Sequence, residues 1–180
     1  MRDFVAVDLP ETWLDALEDL QMHLRTGRIV PRENLHLTLA FLGDAGEEEL
    51  EELHHALESL PPVALTLRIA GLDLFGSAET PRLLYAVVED TPALCDLQHH
   101  VTRAARATGM VLERRRFRPH VTLARFGRTA RADPQALARF LEAHAGFALS
   151  AVPASSMGLY ASTLRPEGAE YEALAVYPLG

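Results

Sequence analysis

The sequence contains a single cysteine, no lysine, and no apolar run that approaches the ~18–20 residues of a membrane span. Cys95, being alone, cannot close an internal disulfide or anchor a cysteine-based zinc cluster. Its neighbours Leu94, Leu97 and Val101 recur at helical spacing, which predicts a small buried hydrophobe rather than a nucleophile. The first residues, MRDFVAVDLP, lack the basic start and long apolar stretch of a signal peptide, so a cytoplasmic location is expected. With lysine absent, all 17 basic residues are arginine. They face 25 acidic residues, for a net charge of −8. That balance argues against a general polyanion binder working through counterion release.

What basic charge there is lies unevenly. Arg114, Arg115, Arg116, Arg118, Arg125, Arg128 and Arg131 crowd one stretch, while acids dominate residues 44–58. A locally basic site on an acidic protein suits a small or terminal phosphate better than a long duplex. The Arg114–Arg116 run by itself is most simply a solvated face. An apolar fraction of 48% is ordinary for a globular chain, and 180 residues suffice for two lobes that share one core. No flexible linker divides the chain, so residues 1–180 are expected to form one domain.

Hydrophobic periodicity gives the order β-α-β-α-β-β-α-β-α-β-β-β, an α+β pattern rich in antiparallel neighbours. Phe4–Val7 is a short strand. Trp13, Leu14, Leu17, Leu20 and Leu24 form a helical stripe after Pro10, and Leu50, Leu53, Leu57 and Leu60 do so in an acidic helix. Pro61-Pro62 breaks the chain before strands over 63–74 and 83–88. A helix from Thr91-Pro92 ends at Gly109, and another starts at Asp133-Pro134. Three strands, over 147–152, 156–162 and 171–177, complete the chain.

Between these elements the chain repeats itself. His36-Leu37-Thr38-Leu39-Ala40 and His120-Val121-Thr122-Leu123-Ala124 share the spelling H-[LV]-T-L-A, each within a strand and each followed by Phe and Gly. The duplication predicts two pseudo-symmetric lobes facing each other, each with an antiparallel sheet and helices, and a cleft between. Residues two apart in a strand share a face. Each copy therefore presents an imidazole beside a hydroxyl, while the opposite face carries Leu and Val. On this alternation Phe41 falls on the apolar side and is expected in the core, and Phe126 is expected there too.

Two histidines and two threonines converging on one pocket suit phosphodiester chemistry without metal. One neutral imidazole takes a proton from the attacking oxygen, and the other, protonated, gives one to the leaving oxygen. Thr38 and Thr122 are placed to hydrogen-bond the non-bridging oxygens, and Arg125 to add charge. Parity raises a conflict, because Arg125 is odd where His120 and Thr122 are even. Strict alternation aims it away from the pocket unless a bulge or strand end turns it in. Arg118 and Arg125 have opposite parity, so a regular strand cannot aim both inward.

These phrases resemble the paired H-x-T-x signature of the 2H phosphoesterase superfamily. Pro31 to Gly43, Phe117 to Arg125, and the tail with Leu159 to Leu164 and Gly168 to Glu172 are similar to its bacterial and archaeal RNA 2′,3′-cyclic phosphodiesterase branch, long called 2′-5′ RNA ligase. The likeness runs from Phe4 to Leu179, with Ile29 standing where the branch has an aromatic. The resemblance implies a bilobal fold with the motifs in a central cleft. It implies His36 as proton donor and His120 as proton acceptor, and Thr38, Thr122, Arg125 and Arg118 toward the phosphate. It also implies no cofactor or metal and an RNA or nucleotide ending in a 2′,3′-cyclic phosphate as substrate. Monomer is the default.

Other features have plainer readings. His54-His55 and His99-His100 are adjacent pairs on helices, diverging by about 100°, without the i, i+4 spacing of two ligands on one face. They are expected to be solvated or at helix edges. Tyr160 and Tyr171 are both candidates for a base-stacking wall. Two competing functions remain open. One keeps the chemistry on another substrate, such as ADP-ribose 1″,2″-cyclic phosphate or a 2′,5′-linked oligonucleotide. The other is a non-catalytic RNA-binding module.

Overall fold

The computed structural model describes residues 2–180. Local chemistry starts and stops its elements where the sequence indicates. Thr91 Oγ1 accepts from Leu94 N at 3.3 Å, ahead of helix α3 (Pro92–Ala107). Asp133 Oδ1 accepts from Gln135 N and Ala136 N at 3.1 and 3.2 Å, ahead of helix α4 (Pro134–Ala143). Both helices carry Pro at their first position, where a missing N–H costs nothing. Gly109, at φ 97°, closes α3. The other helices are α1 (Glu11–Gln21) and α2 (Glu47–Glu58).

The strands are β1 (Arg2–Val7), β2 (Arg28–Ile29), β3 (Leu37–Gly43), β4 (Thr66–Gly76), β5 (Pro81–Val88), β6 (His120–Arg125), β7 (Ala148–Pro153), β8 (Ser156–Arg165) and β9 (Gly168–Pro178). Short β2 and a 3-10 turn at Arg32–Asn34 add to the expected order. Phe117–Pro119 precede β6 as irregular chain. All ladders are antiparallel. They run β7-β4-β5-β6-β3-β1-β8-β9, with β2 also on β6. The α+β, pseudo-symmetric architecture is the expected one, with a refinement. The two four-stranded halves join edge to edge, through the single pair Leu37↔Val121, into one curled sheet.

The helices are exchanged between the halves. Chain order pairs β1-α1-β3-α2 with β5-α3-β6-α4, yet α3 packs on β3 and α2 of the first half. Helix α1 instead reaches the second half. Its Gln21 bonds the Leu123 carbonyl of β6 at 3.0 Å, and His23, just past its end, lies 5.4 Å from His144 at the end of α4. The core is continuous across the halves: Trp13, Leu17, Leu53, Leu57, Leu94 and Leu97 pack against Val5, Leu37, Leu84 and Leu123.

Both motif strands carry a bulge at the same motif position. In β3, Ala6 faces Thr38 but Val5 faces Ala40, so Leu39 is the extra residue. In β6, Tyr85 faces Thr122 but Leu84 faces Ala124, so Leu123 is extra. Each bulge reverses side-chain parity downstream. Phe41, expected in the core, therefore stands opposite Phe4 and is 69% exposed. Leu39, Ala40 and Leu42 take the buried side instead. Phe126, also expected in the core, is half-buried against it.

Candidate active site

The seam places the two motifs together. With Leu37 opposite Val121, antiparallel register sets His36 opposite Thr122 and Thr38 opposite His120, all four on the face away from that buried pair. Both imidazoles are held alike: His36 Nδ1 bonds the Asn34 carbonyl, and His120 Nδ1 the Arg118 carbonyl, each at 2.7 Å. A carbonyl only accepts, so Nδ1 carries the proton in both rings and Nε2 is left as the nitrogen open to other partners. His36 Nε2 lies 2.8 Å from Thr38 Oγ1. His120 Nε2 has no hydrogen-bond partner among the described residues.

Arg125 shows how the parity conflict resolves. Leu83, Tyr85 and Val87 share one face of β5, and their partners across the ladder are Arg125, Thr122 and His120. Directly opposed residues share a face, so the Leu123 bulge turns Arg125 toward the motif side. Its charge is felt at both histidines and helps hold both below the ordinary imidazole range. Arg118 lies in the irregular chain before β6, so strand parity does not govern it. Its side chain is exposed and its charge reaches Tyr85 beside His120, while its carbonyl orients the ring.

Burial dominates the titration of the pair. Desolvation pushes His36 down to about 4 against the Asn34 bond, the charges of Arg125 and His120 push the same way, and Asp8 opposes them. His120 is lowered by desolvation first, then by Arg125, with no acid among its influences. Asp8 is thus an asymmetry between the two sites. Its carboxylate is fixed by Ser156 Oγ at 2.7 Å and by the Tyr160 hydroxyl. Burial and Asp8 together hold the Tyr160 phenol well above its usual value.

Aromatic rings wall each imidazole. Phe4 stacks on His36 at 4.8 Å, with Tyr171 edge-on at 5.3 Å. Phe75 and Tyr85, themselves stacked, stand edge-on to His120 at 5.3 and 5.1 Å. A family model described as the 2′-5′ RNA ligase superfamily matches residues 8–156, which include both motifs.

The chain belongs to that superfamily.

Among this 2H phosphoesterase's relatives, the RNA 2′,3′-cyclic phosphodiesterase of Thermus thermophilus is 33% identical, covering 99% of this chain and 90% of the relative. The protein of the same name from Archaeoglobus fulgidus is 27% identical over 98% of this chain and 99% of its own. A third, from Geobacillus stearothermophilus, is 31% identical over 98% of this chain, which spans just 56% of that relative's length. The crystal structure of TT0787 of Thermus thermophilus aligns with TM-score 0.80 at 29% identity, covering 99% of this chain and 98% of that one. Apo LigT of E. coli aligns with TM-score 0.76 at 23% identity, a likeness of fold.

Several site features were missed by sequence reasoning. Asn34 anchors His36 through its carbonyl while its side chain donates to Ala169 O at 2.8 Å, tying the turn to β9. The bulge carbonyls are held by glutamines: Leu123 O takes Gln21 Nε2 at 3.0 Å and Val30 N at 2.9 Å, and Leu39 O takes Gln98 Nε2 at 3.4 Å. A signal for these existed. Ala16-Leu17-Glu18-Asp19-Leu20-Gln21-Met22-His23-Leu24 and Ala93-Leu94-Cys95-Asp96-Leu97-Gln98-His99-His100-Val101 share A-L-x-D-L-Q-x-H-[LV], a second internal repeat.

Away from the cleft, Cys95 is half-buried rather than a core residue, and burial raises its thiol. His99 and His100 are exposed. The ligand atoms of His54, His55 and Glu58 lie within 4.8 Å of one another, but His54 Nδ1 is engaged by the Tyr177 hydroxyl at 2.9 Å. No helix among the described residues is long and apolar enough to cross a membrane.

Proposed function

We propose that the enzyme opens RNA-type 2′,3′-cyclic phosphates to 2′-phosphates by two-histidine acid–base catalysis that needs no metal. The observation that carries this reading is the matched pair of imidazoles. Each is locked by Nδ1 to a carbonyl two residues back, and each turns Nε2 to a face that also bears two threonines and Arg125. Binding alone would not require an acid and a base so fixed. That weighs against an RNA-binding module without catalysis.

His120 Nε2 accepts a proton from water as its oxygen attacks phosphorus. The P–O3′ bond breaks, and protonated His36 gives its Nε2 proton to the departing 3′-oxygen. Thr38 donates to His36 Nε2 while that nitrogen is unprotonated. Once Nε2 is protonated the bond reverses, and the Thr38 proton is released toward a phosphate oxygen. Thr122 and Arg125 meet the other charge on the phosphoryl group. Asp8 favours the protonated form of His36 alone, but as the smallest of the influences on that ring; the roles of His36 as donor and His120 as acceptor follow the family resemblance. Run backwards, with a 5′-hydroxyl in place of water, the same steps join RNA ends 2′-5′. In dilute water hydrolysis prevails. The protein is read as a monomer acting on RNA ends.

The test is turnover of a 2′,3′-cyclic nucleotide in EDTA, with the product isomer identified. A 2′-phosphate is expected. Loss of activity in EDTA, or a 3′-phosphate product, counts against the mechanism.

A further inference from the structure

An open hollow of about 360 Å³ adjoins His36, lined by Phe4, Leu9, Leu14, Leu35, Tyr160 and Tyr171 together with Asp8, Glu11, Arg32 and Glu33. Its size falls within the range of small-ligand sites. Its walls combine apolar side chains with three aromatic rings. Phe4 and Tyr160 stack at 5.4 Å, and Tyr171 meets Phe4 edge-on at 5.0 Å.

The charge of this hollow is of the wrong sign for a phosphate. Arg32, its one permanent cation, is held by Glu11 at 2.5 Å, by Asp15 at 2.8 Å and by Glu18. Three carboxylates around one guanidinium leave a negative surround. Asp8 and Glu33 add two more acids, and Glu33 has no hydrogen bond or ion pair among the described residues. Thr122 and Arg125, the proposed phosphate contacts, stand on β6 across the seam.

We infer that this hollow holds the base of the terminal nucleotide and prefers bases that present an amino group, with Glu33 as an acceptor at its mouth. The inference rests on the proposed function. If His36 protonates the leaving 3′-oxygen, the ribose and its base must lie on the side of His36, where the hollow is. A carboxylate accepts from the N4 amine of cytosine or the N6 amine of adenine, whereas the 4-position of uracil presents a carbonyl that carboxylates repel. The rings give every base a stacking surface, so the amino group is what discriminates.

Cytidine and uridine 2′,3′-cyclic phosphates differ at that position and make the test. Wild-type enzyme is expected to favour the cytidine substrate at least fivefold in kcat/KM. Glu33→Ala is expected to bring the ratio toward one, chiefly by losing activity on cytidine. Glu33→Gln, which keeps an acceptor oxygen and the side-chain shape, is expected to fall between. Calorimetric binding of 2′-CMP against 2′-UMP reads the same preference without turnover. Equal handling of the two by wild-type protein, or a preference unchanged in Glu33→Ala, overturns the base site while leaving the hydrolytic reading intact. Preferential binding of 2′-CMP, lost in Glu33→Ala, with no turnover of either cyclic substrate supports the site and overturns the hydrolytic reading.

Discussion

At the scale of residues, the central pair is His36 and His120, and under the proposed mechanism their protonation decides the rate. Substituting either with alanine is expected to lower kcat/KM by roughly 10³-fold or more, and the double variant by little beyond the worse single. Single-variant rates within tenfold of wild type would remove both from the mechanism. That mechanism requires free enzyme with His36 protonated and His120 neutral. Because burial holds His36 at about 4 and keeps His120 below its usual value, the kcat/KM bell should be centred below pH 6.5. A bound phosphate anion favours protonated His36, so the kcat profile should lie at higher pH. A kcat/KM optimum above pH 7 contradicts this. Asp8→Asn removes the acid that supports His36, and each unit of support lost is a tenfold drop in the protonated fraction near neutrality. Its kcat/KM at pH 7 should fall, with the limb set by His36 moving to lower pH and the limb set by His120 unmoved. An Asp8→Asn profile that is merely scaled down would assign Asp8 a structural role instead. These histidines were legible in sequence because the motif repeats. Asn34 and Asp8 were not, because one acts through its backbone carbonyl and the other from just past the end of β1.

At the scale of elements, the bulges at Leu39 and Leu123 do what alternation alone could not foresee. The extra residue at the matching position of each motif strand returns position 125 to the cleft face and sends Phe41 there too, and β3 skips a second residue at Leu42. Where the second half has Arg125, the first has Phe41, so the pseudo-symmetry of the backbone is broken in charge. A period-two pattern carries the face of His36 and Thr38 correctly but fails beyond the first unpaired residue, which is why Phe41 was misplaced. Stability measurements separate the two readings. Phe41→Ala should cost under about 0.5 kcal/mol, as an exposed side chain, while Leu39→Ala should cost about 2–5 kcal/mol. Gln21→Leu tests the clamp. It leaves Val30 O without its side-chain partner and Leu123 O with one bond fewer, a loss of about 1–3 kcal/mol. If the bulge aims Arg125, this variant should also raise KM for a cyclic phosphate. A stability loss with KM unchanged would uncouple the clamp from the site.

At the scale of the molecule, exchanged helices and a shared core make the two halves interdependent, and the site lies where they meet. The buried imidazole pair then links protonation to folding. In an unfolded chain His36 titrates at its ordinary 6.5, whereas in the folded protein it is held at about 4. Between those values the unfolded chain binds more protons, so stability rises with pH across the interval. The contribution is fully present above pH 6.5 and is lost as pH falls through 4. His120, lowered in the same direction, adds to it. For His36 the shift corresponds to at most about 3 kcal/mol. Carboxylates also weaken the fold in acid, so the measurement is a difference: denaturant unfolding of wild type and His36→Ala at several pH values from 7 to 4. Wild type should lose more stability than the variant between pH 6.5 and 4. Parallel losses would mean that burial does not depress the imidazole, and the acid-shifted rate profile would then need another cause.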